Sequence, residues 1–486
     1  MNVYFSDWFY VSRDDLEEYG AFNISLINDL PIFIDPFLLF SSDKPEYQEL
    51  HEKIIEYITF LRDMSESGAI AQGLVHHWFL FSEVKQNWLG FSKVGNSGSG
   101  LGTKFAMALN NNLSTIFTDF GAEKVTKGSH LEKLCLVRDG VGKDNVSDFT
   151  TNLIKGFLCE YTQKFAQQYI DGTRTKFVMV PHAEFDYKTR TWIRKRYRLP
   201  YIDGDYVLLT PKDILTKDEA WINKHDIIGD FDDILESMQN FELRAKINEY
   251  FLRRMPENAK RREINEAIAS TLRTFPELID YYIRLKEDTS DKASSLSNQK
   301  VREIETVFIG QVSRLIEGLQ DDSAFYATPD DTHEEAYKRV MYLKQAIENN
   351  DGYRIFYMKG EPLKRESDLQ LMFRLTWFAS TDDVNAEVNN GRGPVDYKIS
   401  RGSKDSTLVE FKLASNSKLK QNLEKQVDVY KAANQTDKSI KVILYFNDTE
   451  LEKLLMIMKS LDIKEGKDLV LIDARASNKP SGSNAK

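Results

Sequence analysis

Two carboxylates and a lysine stand close together in residues 391–413, GRGPVDYKISRGSKDSTLVEFKL. The stretch reads as two short strands joined by a polar turn. Along the first, Val395, Tyr397 and Ile399 face one way, and Asp396 and Lys398 the other. Along the second, Val409, Phe411 and Leu413 share one face, and Leu408, Glu410 and Lys412 share the opposite one. A hairpin folded symmetrically about Ser403 sets Asp396 opposite Glu410, with Cα atoms about 4.5–5.5 Å apart. Facing carboxylates are costly without a cation between them. The residues therefore point to a hard-metal site, Mg²⁺ or Mn²⁺, with Asp396, Glu410 and the carbonyl of Phe411 as oxygen ligands. Such an ion lowers the pKa of a bound water and neutralises charge on a phosphate oxygen. Lys412 faces the same space and could orient the water. The seven histidines show no zinc-motif spacing. The bland alternative is a solvated sheet face, with Asp396–Lys398 and Glu410–Lys412 ion pairs worth at most ~1 kcal/mol each.

Flanking helices must complete such a site. In the helix expected over residues 366–380, Glu366 and Gln370 share a face, and Glu366 could add a third carboxylate, with Asp368 and Glu387 as competitors. In the helix expected over residues 416–434, with Asn416 or Ser417 as its cap, Gln426 and Tyr430 are four apart and share a face. That face can return to the hairpin, so Gln426 could bond the water network or a nucleic-acid backbone. Between Arg392 and Lys425 the sequence holds eight basic residues and four acids, a local excess of positive charge in a chain of net charge −10. Arg392 and Lys418 are the candidates for drawing a phosphate backbone to this edge, with Tyr430 beside them.

The segments GPVDY, VEFK and QVDVY, after an early helical glutamate, resemble the PD-(D/E)xK (restriction-endonuclease-like) nuclease superfamily. Here Val395 separates Pro394 from Asp396, a spacing that occurs in that family. Glu410, Phe411 and Lys412 match its E-x-K directly, and Gln426 and Tyr430 match the Q-x-x-x-Y extension of several branches. The resemblance covers residues 350–475. It implies an α/β sandwich and a divalent-metal-dependent hydrolysis of phosphodiester bonds. The metal would be held by Asp396, Glu410 and Glu366, Lys412 would serve the nucleophilic water, and DNA ranks ahead of RNA as substrate. It also suggests a bacterial anti-phage role with a phage-derived trigger, and a homo-oligomer where both strands are cut. The alternative from a different class is a non-catalytic nucleic-acid-binding or scaffold protein on a degenerate nuclease fold.

The rest of the chain is expected to form two further regions. Its 486 residues are too many for one ordinary domain, and 41% hydrophobic with 29% charged is ordinary globular material. Residues 1–229 read as an α+β domain for sensing or substrate binding, 230–350 as a helical linking domain, 351–475 as the nuclease domain and 476–486 as a mobile tail. No apolar run approaches the ~20 residues of a membrane span, and the N-terminus has no secretory pattern, so the expectation is a cytoplasmic protein without a membrane partner. Two cysteines make no disulfide framework. In the N-terminal region, residues 187–198 interleave Arg194, Lys195 and Arg196 with Tyr187, Trp192 and Tyr197, the footprint of single-strand or backbone binding, or equally of a solvated hairpin. Residues 93–109 are glycine-rich but lack a closing Gly-Lys-Ser/Thr, so a plain loop is expected there rather than a nucleotide site. Asp139, Asp144 and Asp148 could form a second metal site. The preferred reading has Ser147 or Asp148 capping a helix over residues 149–169. The polar run 286–300 reads as a hinge, and residues 352–358 as a short strand.

Overall fold

The computed structural model describes residues 3–67, 72–90, 106, 109–110, 113, 120–121, 123–133, 136, 143–217, 219–255, 261–311, 331–349, 352–358, 360–363, 365–377, 383–389, 394–401, 405–426 and 438–479. It is a mixed α/β protein. Among these residues, no helix is long and apolar enough to cross a membrane.

The N-terminal region is organised by aromatic packing. Tyr4, Phe5, Phe22, Phe37, Phe79, Phe149 and Phe165 are fully buried. The helix Pro45–Glu66 turns Leu50, Ile54, Ile58 and Leu61 inward at helical spacing. The apolar segment 29–40 is buried as a short strand, Ile32–Ile34, and a helix, Pro36–Phe40, capped by the Asp35 carboxylate on the Phe37 N–H. Residues 149–169 are not one helix. Lys143–Leu153 and Lys155–Tyr169 are separate helices, and Ser147 lies inside the first with its Oγ accepting from the Ile34 N–H, so neither Ser147 nor Asp148 is a cap. The helix Lys155–Tyr169 packs on a long hairpin of β1 (Thr175–Asp186) and β2 (Thr191–Ile202). The register of β1 against β2 skips between Val180 and Glu184, a bulge in which His182 adopts φ +52°. Gly156 allows this packing: a Cβ there would lie 2.5 Å from the Ala183 carbonyl oxygen.

Four helices, Phe231–Ser237, Phe241–Arg254, Arg261–Thr274 and Glu277–Asp288, bury Phe231, Ile234, Ile247, Ile268, Tyr282 and Ile283 in a second core that also takes in Phe37 and Leu38 of the N-terminal region. The expected hinge at 286–300 is helical instead. The chain breaks only at Thr289 and continues as Ser290–Ile304. Its polar residues are consumed by packing. Ser297 donates to the Leu215 carbonyl and Lys300 to the Tyr357 carbonyl, so this helix ties the N-terminal strand Leu215–Lys217 to the C-terminal region.

The C-terminal region is a five-stranded sheet between helices. Its strands are β3 (Asp383–Asn389), β4 (Pro394–Arg401), β5 (Asp405–Leu413), β6 (Lys438–Tyr445) and β7 (Leu469–Asp473), hydrogen-bonded in that order. β3, β4 and β5 form an antiparallel meander, and β5, β6 and β7 run parallel. One face buries Val409, Phe411, Val442, Leu444 and Ile472 in the large core beneath the helices α1 (Thr332–Asn349) and α2 (Glu366–Leu375). On the other face, Ile443, Tyr445, Leu469 and Leu471 meet Leu419 and Leu423 and the helix Asp448–Ser460. α1 falls within the stretch read as the linking domain, yet it packs on this sheet. Arg401 pairs with Glu335 at 2.9 Å, and Lys438 with Asp331 and Asp405 at 2.6 and 2.7 Å, which pins the helix start to the strands. The expected strand at 352–358 is a 3₁₀ turn, Gly352–Phe356, followed by a two-residue strand. The helix after β5 begins at Leu419 and becomes a π-helix at Asn422–Gln426. Asn416 forms a turn with the Lys418 N–H instead of capping it.

Candidate metal centre

The hairpin register follows from the alternation of its residues. Asp405 pairs with Arg401, Ser406 with Ser400, Thr407 with Ile399, Leu408 with Lys398 and Val409 with Tyr397, a fold symmetric about Ser403. Any slip by one residue would turn Val409 and Phe411 out of the core. Asp396 and Glu410 are the next facing positions. The Asp396 Oδ2 accepts the Phe411 N–H at 2.6 Å, so the carboxylate bridges the strands.

Four oxygens surround the ammonium of Lys412. The Phe411 carbonyl oxygen accepts from its Nζ at 2.9 Å. Glu410 Oε1 is 3.3 Å away, Glu366 Oε2 3.7 Å and Asp396 Oδ2 3.9 Å. Glu366 arrives from the first turn of α2, and its Oε1 also accepts the Leu413 N–H at 3.2 Å. That helix is held in place by rings under the site. Phe373 packs against Tyr397 and Phe411 with centroids 5.4 and 5.2 Å apart, and the Tyr397 hydroxyl donates to the Gln370 carbonyl at 3.0 Å. The pairings Asp396–Lys398 and Glu410–Lys412 of a solvated face do not describe this arrangement. Lys412 is shared by three carboxylates, and Glu410 is buried.

Of the competitors for the third carboxylate, Glu366 joins the cluster. Asp368 is buried on another side of α2 and lies 3.6 Å from the fully buried Lys217 of the N-terminal region. The side chains of Glu387 and Gln426 lie outside the described residues, as do Arg392 and Tyr430. Lys418 is exposed beside the helix that follows β5.

Burial pushes the Asp396 carboxyl up to about 6, an effect only partly offset by Lys412 and the Phe411 N–H. For Lys412 burial acts in the opposite direction, but the carboxylates of Asp396, Glu410 and Glu366 together outweigh it and raise the ammonium above its ordinary value. The donor set, three carboxylates and a carbonyl, is that of a hard divalent cation. As they stand, no three His, Cys, Asp or Glu side chains among the described residues are drawn together closely enough to hold one. The Lys412 ammonium sits between them.

Residues 10–223 match a family described as a domain of unknown function, DUF8370. Residues 332–448 match a second, DUF8371. Neither curated proteins nor solved structures give a match. The second span opens at the first residue of α1 and contains Glu366, Asp396, Glu410 and Lys412.

Elsewhere the hairpin of β1 and β2 presents an outer face that composition alone understates. Arg194 and Arg196 are exposed and make no salt bridge among the described residues. Arg196 stacks 4.2 Å over the ring of Phe177, which is 62% exposed, and Met179 beside it is 56% exposed. The strand pairing Phe177↔Arg198 and Met179↔Arg196 brings these residues together, a signal available only once the hairpin register is known. Lys195 and Tyr197 point away from that face: Lys195 pairs with Glu184, and Tyr197 is buried. The glycine-rich stretch 93–105 and Asp139 lie outside the described residues. Asp144 lies close enough to Asp148 to raise its carboxyl, which burial, then Glu83 and Asp144, lifts to about 7.

Proposed function

We propose that the C-terminal region is a divalent-metal-dependent nuclease of the PD-(D/E)xK kind, with Asp396, Glu410, Glu366 and the Phe411 carbonyl as ligands for Mg²⁺ or Mn²⁺. The observation that carries this reading is the convergence of those four oxygens on one cationic nitrogen. The antiparallel meander continued by parallel strands between helix layers supports a restriction-endonuclease-like sandwich.

When bound, the metal would supply a more acidic water and offset charge on the scissile phosphate. The chain's own residues do the rest. The Phe411 N–H and Leu413 N–H hold the Asp396 and Glu366 carboxylates at fixed orientation. Lys412, released from the carboxylates, reaches the same space with a proton donor for the water or for a phosphate oxygen. The aromatic layer of Phe373, Tyr397 and Phe411 keeps the sheet side of the site dry, which strengthens each electrostatic contact. The exposed Arg194, Arg196 and Phe177 would bind the nucleic acid by its backbone and by stacking, which is sequence-tolerant. DNA is placed ahead of RNA, and phage defence is the proposed setting.

One observation favours a second reading. Lys412 offsets part of the charge of the three carboxylates from within the chain, as it would in a non-catalytic nucleic-acid-binding protein. Incubation of plasmid, single-stranded DNA and RNA with Mg²⁺ separates the two. The wild type should cleave at least one of them, EDTA should stop it, and Glu410→Ala and Lys412→Ala should each lose at least about 100-fold in rate, as for removal of a transition-state contact. Binding without cleavage, or equal cleavage by all three proteins, would sink the nuclease reading.

A further inference from the structure

The inner side of the same N-terminal hairpin closes a cavity of about 810 Å³ against the helices Pro45–Glu66 and Lys155–Tyr169. Its size is that of a ligand site, near the upper end of the usual range of ~300–1,000 Å³. Aromatic rings line it. Tyr57 packs against Phe185 and Trp192 with centroids 4.9 and 5.3 Å apart, and Tyr161 joins them from the neighbouring helix. Tyr197, also on the wall, is 4% exposed, and its hydroxyl, beside Gly156, has no hydrogen-bond partner among the described residues. A buried hydroxyl without a partner is expensive, and a ligand that bonds it would recover that cost.

The rim is acidic. Glu49 and Glu184 are taken up by Lys53 and Lys195. Glu46, Glu56 and Glu160 make no salt bridge among the described residues, against one lysine, Lys164, in the same condition. The uncompensated charge is negative, so a phosphate backbone would be repelled here although the outer face of the hairpin suits it. Aromatic faces beneath free carboxylates are the recognition chemistry of an alkylammonium or guanidinium group. One such group would fill only part of the cavity. We infer that this cavity binds a short peptide segment carrying lysine or arginine among apolar side chains: the basic groups meet Glu46, Glu56 and Glu160, the apolar side chains lie on Tyr57, Tyr161 and Trp192, and a backbone or side-chain group bonds the Tyr197 hydroxyl. The site would give the N-terminal region a peptide-sensing role, and it stands whether or not the C-terminal region is a nuclease.

The test is fluorescence anisotropy with the full chain and a labelled Arg-Leu-Arg-Phe-Arg-Leu peptide. Its charge-reversed counterpart, Glu-Leu-Glu-Phe-Glu-Leu, is run beside it, with spermidine and oligo-dT as competitors. The basic peptide should bind and the acidic one should not. The double variant Glu56→Gln/Glu160→Gln should weaken binding about 3- to 10-fold, and Tyr197→Phe about 2- to 5-fold, while Glu236→Gln, on the helical region, should leave it unchanged. The rim variants alter exposed residues, so an unchanged thermal transition confirms that they fold. The proposal is overturned if the basic peptide does not bind up to about 1 mM, if the acidic peptide binds as well, if the rim variants bind it equally, or if spermidine or oligo-dT displaces it at equal concentration.

Discussion

Replacing Asp396 by asparagine should stabilise the metal-free protein at neutral pH while removing the proposed nuclease activity. The Asp396 side chain is 15% exposed, and burial lifts its carboxyl from 3.8 to about 6. A rise of about two pH units, at about 1.4 kcal/mol per unit, is worth about 3 kcal/mol in favour of the neutral form. The folded value lies above the unfolded one, so this contribution is fully present below about pH 4 and is lost as pH rises through about 6. At pH 7 the fold therefore carries an ionised carboxylate that costs up to about 3 kcal/mol. Asparagine keeps the shape, and its Oδ1 can still accept the Phe411 N–H. Lys412 keeps Glu410 and Glu366. Calorimetry in EDTA at about pH 4 and pH 7.5 checks the effect on the transition of the C-terminal region. The variant should unfold higher at the upper pH by about 2–10 °C, which is about 1–3 kcal/mol in a unit of this size, and the gap should close at the lower pH. A variant less stable than the wild type at neutral pH, or one with the same difference at both pH values, would refute the reasoning. It would mean that Lys412 and the Phe411 N–H more than compensate the burial of the charge.

Three further outcomes test other parts of the structure. Gly156→Ala should destabilise the N-terminal region by about 1–3 kcal/mol, since its methyl group would meet the Ala183 carbonyl oxygen at 2.5 Å, and thermal unfolding will measure this. Lys217→Ala should cost about 3–5 kcal/mol, because it removes a fully buried ammonium that lies 3.6 Å from Asp368 and donates to the Ile355 carbonyl; a double-mutant cycle with Asp368→Asn will measure the coupling between the two side chains. Arg194→Glu/Arg196→Glu should weaken the proposed DNA binding uniformly across sequences and flatten the dependence of log affinity on log salt by about 2, read by anisotropy at several salt concentrations.

The hairpin was legible because alternation leaves it little choice. Val409 and Phe411 must face the core, and that fixes Asp396 opposite Glu410. The strands at β3, β6 and β7 and the helices Pro45–Glu66 and Asp448–Ser460 follow from the same periodicities. The third carboxylate was not decidable from sequence. Glu366 and Asp368 both lie in the first turn of α2, and only the position of Lys217, some 150 residues earlier, separates a site residue from a buried ion pair. The polar run 286–300 misleads because Ser297 and Lys300 look solvated until Leu215 and Tyr357 are seen to accept from them. Phe177 and Met179 are not distinguished by pattern, because Val178 and Val180 make the opposite face of the strand equally apolar, and only the structure shows that Val180 is the buried side.

The oxygens gathered on the Lys412 ammonium are the proposed metal ligands. Electron paramagnetic resonance of Mn²⁺ titrated into the full chain, in the presence of nucleic acid, tests this assignment most directly. Binding at Glu366, Asp396 and Glu410 should be saturable in the wild type, fall by at least about tenfold in Glu410→Ala and in Glu366→Ala, and persist or tighten in Lys412→Met. Equal Mn²⁺ binding in the wild type and both carboxylate variants, or none in any of them, would overturn that assignment.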